Sequence, residues 1–322
     1  MDYKNIIINS QNELDFFNNF KKIKITFNNL LLNIKHDVIV LTKLLTLLKI
    51  NTDLFFSLFE TIKRYNSCNE YKRIYCTEYN LILILQVKNN ANNWSFLQKL
   101  SICDGSYQNV YNQYCRWTKK GIFEDSFYNF TLNLNLQKEE NLLIDASSFS
   151  NKYGSENVTV NSEYTKKNIT KLSVITTKQG VILSVKPFEV NSKKIIYNKE
   201  EKIIKTTEHD SKTIQKSVDL IKNKIEILNI IGDKGYKTSN IITKNEKKIN
   251  IITPNKKNQK KNLNTIENNL NMKGRYKIEN IFGIIKMNNE RIMLRKDKNL
   301  INFMGWVYIA CLENNLKFLV KR

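Results

Sequence analysis

The sequence predicts a mixed α/β fold in which a helical module precedes a mixed sheet that carries its own helices. Apolar residues recur at helical spacing in the first third of the chain, whereas from Glu140 onward short β-branched runs alternate with helical patterns. We expect three regions: a helical extension of unknown role over residues 1–48, a helical region over 49–138, and the α/β region over 139–322.

The composition predicts a globular protein with a polyanionic partner. The chain has 322 residues, of which 41% are hydrophobic, and that is enough for a sizeable core. Its 52 Lys and Arg residues exceed its 30 Asp and Glu residues, which gives a formal charge of +22. Nucleic acid is the first partner to expect from such a charge. Compositional drift is the alternative, because the chain is rich in Asn, Ile and Lys throughout.

Cysteine and histidine placement argues against a zinc site and for a reducing compartment. The five cysteines form no CxxC pair, and the two histidines, His36 and His209, lie far apart. The first residues lack the pattern of a secretory leader, and the apolar runs are too short or too interrupted to cross a bilayer. We therefore expect an intracellular protein without a membrane segment.

The helical regions contain one pattern that is compatible with DNA recognition. Val110, Tyr111, Tyr114 and Trp117 define an amphipathic helix that Gly121 ends. A short turn at Asp104 and Gly105 joins this helix to the preceding helical residues, as in a helix-turn-helix unit. The candidate DNA-binding residues on its outer face and at its exit are Arg116, Lys119 and Lys120. Helical hairpins without any DNA role share this pattern. Earlier in the chain, leucines at 41, 44, 45 and 48 predict a helix that either packs on the body or self-associates.

The α/β region is predicted to contain a strand, a hairpin, a helix, two strands and two helices, in that order. The predicted bounds are a strand that ends at Asp145, a hairpin over 172–177 and 181–186, a loop or ragged β-insertion over 187–207, a helix over 211–225, strands to Asp233 and over 248–253, a helix around Glu279 and a helix over 299–319.

Three carboxylates in this region form the candidate catalytic and metal-binding set. Asp145 and Asp233 each follow an apolar run, and Glu279 lies beside an apolar helical stripe. If the first and fourth strands are neighbours in a mixed sheet, the aspartates come side by side and the late helix can lay Glu279 across them. Hard oxygen ligands select Mg²⁺ or Mn²⁺, and two such ions support in-line phosphoryl displacement. Asp145 would bridge both ions. The alternative is that the three residues have no catalytic role: the aspartates would then form turns at strand ends, and Glu279 would pair with Arg275 on an exposed helix face.

Several motifs resemble the DDE transposases of bacterial insertion sequences, in particular group five and its relatives. The motifs are Leu-Ile-Asp-Ala-Ser-Ser-Phe at 143–149, His-Asp-Ser at 209–211, Asp-Lys-Gly-Tyr at 233–236, the spacing of Arg275, Glu279 and Lys286, and residues 94–121. The resemblance covers residues 75–322. Met272 stands where the family's signature tyrosine would be, and Glu290 is a rival to Glu279 further along the same predicted helix.

The resemblance implies a ribonuclease H-like catalytic core, two Mg²⁺ ions per site, and cleavage at terminal inverted repeats followed by strand transfer into target DNA. It also implies at least a dimer, which holds two element ends. Arg275 and Lys286 would contact phosphates near the scissile bond, although Arg275 could instead orient Glu279. Lys256, Lys257, Lys260 and Lys261 would line a DNA path, or form a solvated loop. Two other functions stay open: a transposase-derived protein that binds DNA without cutting it, and a metal-dependent endonuclease.

Overall fold

The computed structural model divides the protein into two compact units, Met1–Ser126 and Phe127–Arg322. It describes residues 3–22, 25–66, 75–90, 93–134, 138–160, 168–197, 200–222, 225–236, 241–242, 248–254, 276–287 and 290–320. The division differs from the predicted boundaries at 48 and 138, because the first helices belong to the same unit as the helical region. One tie is the Asp104 carboxylate, which accepts hydrogen bonds from the backbone N–H groups of Phe27 and Asn28 at 2.9 and 2.6 Å.

The first unit is helical throughout its described residues. Its helices are α1 Tyr3–Asn9, α2 Glu13–Phe20, α3 Phe27–Ile34, α4 Val38–Leu47, α5 Thr52–Asn66, α6 Thr77–Asn89, a 3₁₀ helix Trp94–Lys99, α7 Tyr107–Lys119 and α8 Ile122–Leu132, which crosses into the second unit. Asn12, Thr26 and Asp37 cap α2, α3 and α4 with side chains that accept from backbone N–H groups. Leu41, Leu44 and Leu45 are buried in α4, so the predicted leucine helix packs within its unit.

The predicted amphipathic helix of the DNA-recognition pattern is α7. Val110, Tyr114 and Trp117 are buried, and Gly121 follows the helix with a φ of +75°. The element that leads into the turn at Asp104 and Gly105 is the short 3₁₀ helix rather than an α-helix. This segment therefore contains a turn and a second helix, but a helix-turn-helix unit would have to use α6 as its first helix.

The second unit is built on a mixed sheet of seven described strands. They are β1 Lys138–Ser150, β2 Thr159–Val160, β3 Asn168–Thr177, β4 Ile182–Pro187, β7 Glu226–Ile231, β8 Ile241–Ile242 and β9 Lys248–Ile252. Their order is β2-β3-β1-β7-β9-β8, with β4 also paired to β3. Strands β7 and β9 run parallel to β1, whereas β3 pairs antiparallel with both β1 and β4. Because β2 and β8 have two residues each, β1 and β7 are the first and fourth longer strands, and they are neighbours as predicted.

Helices cover both faces of this sheet. Ile214 and Val218 of α9, Asp210–Asp219, join Leu142 and Ile144 of β1 in one buried cluster. On the opposite face the ring of Phe149 contacts those of Phe282 and Phe303. The late helices are α10 Tyr276–Met287, α11 Glu290–Met293 and α12 Leu300–Val320. None of the helices in the described part of the chain has the length and apolar character needed to cross a membrane.

The predicted insertion between β4 and α9 is a two-stranded antiparallel ribbon, β5 Val190–Tyr197 and β6 Glu200–Thr207. At its base the backbone N–H of Glu208 donates to the carbonyl oxygen of Glu189 at 2.9 Å. Lys216 of α9 donates to the carboxylates of both glutamates, at 2.8 Å to Glu189 and 2.9 Å to Glu208. These contacts fix the two ends of the ribbon against α9.

One detail of the predicted elements is wrong. Asp145 does not end its strand, because β1 continues to Ser150 while it pairs with β3. What ends near Asp145 is the parallel pairing with β7, whose last pair is Leu143 and Ile231. The predicted helix through Glu279 and Glu290 is described as α10 up to Met287 and as α11 from Glu290, and residues 288–289 lie outside the described part of the chain.

Candidate active site

Asp145 and Asp233 are brought side by side by the register of two parallel strands. Each β1 residue pairs with the β7 residue 88 positions later, and Asp145 and Asp233 are also 88 positions apart. The strands are in contact up to this point, because a β-carbon on Gly232 would lie 2.8 Å from Cγ2 of Ile144. Neighbouring strands are about 4.8 Å apart. The two carboxylates therefore share one edge of the parallel pairing, and both residues are half-buried.

Backbone hydrogen bonds define the turn that presents Asp233. The N–H of Tyr236 donates to the carbonyl oxygen of Asp233 at 3.0 Å, which closes a 3₁₀ turn over Lys234–Tyr236. The N–H of Gly235 points at Oδ1 of Asp233, at 3.4 Å. Before the turn, the N–H of Gly232 donates to the carbonyl oxygen of Ile252 on β9 at 3.0 Å. The Asp233 segment is thus hydrogen-bonded to the sheet before Asp233 and closed by its own turn after it.

Tyr236 lies under this group of acidic residues. It is 1% exposed and packs in the cluster that contains Leu142 and Ile144. Burial raises the pKa of the Tyr236 phenol, and the nearby carboxylates of Asp210, Asp145 and Asp233 raise it further. The residue therefore stays a neutral phenol, and its position in the core is that of a packing residue rather than of a base-stacking one.

Helix α10 places Glu279 on the same side of the sheet as Asp145. Its predicted apolar stripe is confirmed, since Ile278, Ile281, Phe282 and Ile285 are buried. Cδ1 of Ile281 lies 3.8 Å from where a β-carbon of Gly180 would be, in the turn that follows the β3 partner of Leu142. Lys286, by contrast, reaches Ser147, so α10 runs along β1 from the Leu142 end toward Ser147. Glu279 precedes Lys286 by roughly two turns, about 10 Å, which puts it on the Asp145 side of Ser147.

Glu279 is exposed, and the described residues contain no group of three or more His, Cys, Asp or Glu side chains arranged to hold a metal ion. The structure thus places Asp145 and Asp233 at the same edge of the parallel pairing, with Glu279 on the same side of the sheet as Asp145. Two adjacent carboxylates nevertheless supply the hard oxygen donors that Mg²⁺ and Mn²⁺ prefer, so the donor chemistry fits such an ion.

Lys286 is engaged within the protein. Its Nζ donates to Oγ of Ser147 at 2.7 Å and lies 4.8 Å from the centre of the Phe149 ring. Burial lowers the pKa of Lys286. The side chain thereby joins α10 to β1 two residues beyond Asp145. This structural contact was not predicted; the sequence predicted a phosphate contact for Lys286.

The other predicted DNA-binding residues divide into two groups. Arg116, Lys119 and Lys120 are exposed at the end of α7, in the first unit. Arg275 and the predicted basic loop lie outside the described residues, and the loop residues are Lys256, Lys257, Lys260 and Lys261.

Sequence reasoning missed the two residues that support the Asp233 turn. Lys171 of β3 forms an ion pair with Asp210, at 2.6 Å between Nζ and Oδ1. Asp210 in turn packs against Gly235. The signal available in the sequence was the His-Asp-Ser motif at 209–211, to which no role was attached.

Comparisons with known proteins leave the family open. No family model matches the sequence, and no curated protein matches it. Among solved structures, the chain is similar to the piggyBac transposase in a cryo-EM structure of its synaptic complex with hairpin DNA, with 8% identity and a TM-score of 0.31. The similarity covers 68% of this chain and 45% of the transposase, so the chain spans less than half of that protein's length. A TM-score this low carries no argument about fold or function.

Proposed function

We propose that the protein is a DNA transposase of the DDE type, with a ribonuclease H-like core. The observation that carries the proposal is the placement of Asp145 and Asp233 at one edge of the parallel pairing between β1 and β7. The mixed sheet around them, in which the first and fourth longer strands are neighbours, supports such a core. The formal charge of +22 supports a DNA substrate.

In this proposal Asp145, Asp233 and Glu279 would hold Mg²⁺ or Mn²⁺. When bound, such ions stabilise the attacking and leaving oxygens of an in-line phosphoryl displacement. The chain's own contribution is to hold the carboxylate oxygens in place before substrate arrives. The backbone hydrogen bonds around Asp233 and the continuous pairing of β1 with β3 around Asp145 do this.

DNA is held in the proposal by basic residues of both units. Arg116, Lys119 and Lys120 would contact backbone phosphates from the end of α7, and Arg275 and the basic loop at 256–261, which lie outside the described residues, are the further candidate phosphate contacts. Lys286 faces a phosphate from its position between α10 and β1. Two copies of the chain hold the two ends of one element.

The test is a strand-transfer assay with Mg²⁺ and a labelled duplex that carries the repeats flanking the gene. Joined products support transposition. Nicks without joining support the endonuclease, and a gel shift without cleavage supports the DNA-binding protein.

The site assignment is tested with Asp145→Asn and Asp233→Asn. Each should abolish cleavage and leave DNA binding nearly unchanged, because only the carboxylate charge is lost. The matched control is Asp219→Asn, at the exposed far end of α9 in the same unit. Cleavage that survives Asp233→Asn would show that the site is elsewhere.

A further inference from the structure

One ion pair beside the candidate site has no part in the two-aspartate chemistry. Lys171 on β3 and Asp210 at the start of α9 are joined at 2.6 Å, and their side chains are 24% and 25% exposed. Lys171 pairs in register with Ser148 of β1, and its Nζ also lies 4.6 Å from the centre of the Phe188 ring. The pair therefore links α9 to the sheet within three register positions of Asp145.

Asp210 also contacts the turn that presents Asp233. A β-carbon added to Gly235 would lie 2.6 Å from Oδ2 of Asp210, closer than real β-carbons approach any atom. A side chain at position 235 would require the Asp210 carboxylate to shift. Gly235 is the residue whose N–H points at the Asp233 carboxylate, and Tyr236 next to it closes the turn. One face of the turn thus rests on the Asp210 carboxylate.

We propose that the Lys171–Asp210 pair is a positioning device for Asp233, with Gly235 as the residue that lets the Asp210 carboxylate reach the turn. Lys171 holds one oxygen of Asp210, and the other oxygen packs on the Gly235 backbone. Through this contact the pair sets where the Asp233 carboxylate lies relative to Asp145. As a catalytic role, this inference rests on the proposed function.

The geometry distinguishes this role from that of a further metal ligand. Asp210 already has a cationic partner in Lys171. A partly exposed ion pair contributes little to global stability. The effect of breaking it should therefore appear locally, in the Asp233 turn.

The experiment measures the turn and the chemistry separately in the full-length protein. Hydrogen–deuterium exchange of the amides of Gly235 and Tyr236 reports the turn without any need for activity. The Mg²⁺ concentration for half-maximal cleavage reports the carboxylate. The variants are Asp210→Asn, Lys171→Met and Gly235→Ala, with Lys171→Arg as the conservative variant. The matched control is Lys222→Met, which breaks the exposed pair with Asp219 near the other end of α9.

We expect faster exchange at Gly235 and Tyr236 in the three disruptive variants. We also expect a Mg²⁺ requirement raised about 10- to 100-fold, as for other groups that orient metal ligands. Lys171→Arg should restore both values toward those of the wild type, and Lys222→Met should change neither.

Unchanged exchange in Asp210→Asn and Lys171→Met would overturn the inference, whether or not the protein cleaves DNA. Faster exchange with an unchanged Mg²⁺ requirement would also overturn it, because the turn would then not control the carboxylate. If the wild type shows no Mg²⁺-dependent cleavage, the proposed function fails, and the exchange data still decide whether the pair holds the turn. A Gly235→Ala variant that fails to fold leaves the decision to the other two variants.

Discussion

The side chain of Asn315 makes the hydrogen bonds that a further strand would make at the edge of the sheet. Replacing Asn315 should therefore lower the free energy of unfolding. Strand β4 pairs with β3 on one side. On α12, the fully buried Asn315 accepts from the N–H of Ile182 at 2.8 Å and donates to its carbonyl oxygen at 2.8 Å. The amide also donates to Oγ1 of Thr131 at 3.0 Å. Both backbone groups of Ile182 thus depend on one side chain.

The Asn315→Leu variant isolates these hydrogen bonds because leucine has a similar shape and leaves little cavity. It leaves the N–H and the carbonyl oxygen of Ile182 buried without this partner. Each unmade hydrogen bond costs about 1–3 kcal/mol, so the free energy of unfolding should fall by roughly 2–6 kcal/mol. That is a large fraction of the roughly 5–15 kcal/mol that stabilises a typical protein.

Equilibrium unfolding in urea measures this loss, and native-state hydrogen exchange at Ile182 locates it. Asn314→Leu is the control, because the Asn314 amide makes longer hydrogen bonds, at 3.2 Å to the carbonyl oxygen of Gly180 and 3.5 Å to Oδ1 of Asn315. Their loss should cost only about 0.5–1.5 kcal/mol. A change within about 0.5 kcal/mol for Asn315→Leu, typical of surface substitutions, would refute the reasoning.

Three further predictions concern other parts of the chain. Gly121→Ala should lower the free energy of unfolding, measured in urea, by about 1–2 kcal/mol. The φ of +75° is strained for alanine, although no neighbouring atom lies within 4 Å of the position that its β-carbon would take. An unchanged free energy of unfolding would contradict this. Hydrogen bonds that Lys216 donates to Glu189 and Glu208 raise the pKa of Lys216 above 10.5, so the stabilisation from these contacts is complete below that pH and is lost as the pH rises through the folded value. The difference in Tm between the wild type and Lys216→Met should therefore shrink at the alkaline end, and a constant difference would refute it. Burial raises the pKa of Cys76 to about 12. Iodoacetamide at pH 8 should therefore alkylate Cys76 on the order of 1000-fold more slowly in the native than in the unfolded chain, as measured by mass spectrometry. Equal alkylation rates would contradict the burial of the thiol.

The sequence predicted elements well where a single periodicity controlled burial. The apolar positions of α7 and α10 and the hairpin of β3 and β4 followed from local spacing alone. These features depend on which side chains avoid water, and the spacing of apolar residues along the sequence shows that directly.

Pairing and specific contacts were harder to predict. The apolar run before Asp145 stops because the parallel partner β7 stops, but β1 continues on β3 through Ser147 and Ser148, which are only half-buried. Hydropathy measures burial and not backbone pairing, so the strand end was misplaced. The contact between Lys171 and Asp210 joins residues 39 positions apart, and no local pattern encodes it. Glu279 was placed on its helix correctly, but its distance from the aspartates depends on how α10 docks.

The contacts at the base of the β5–β6 ribbon allow the segment between β4 and α9 to vary in length and sequence. The segment leaves the fold at Glu189 and returns at Glu208, and one 2.9 Å backbone hydrogen bond joins these two residues. Lys216 holds both of their carboxylates, so the closure does not depend on the ribbon itself. A chain that crosses this gap with a tight turn would keep β4 and α9 where they are. Insertions of other lengths or sequences could start at Glu189 and end at Glu208 in the same way. The chain can therefore vary at this point without changing the sheet that carries Asp145 and Asp233.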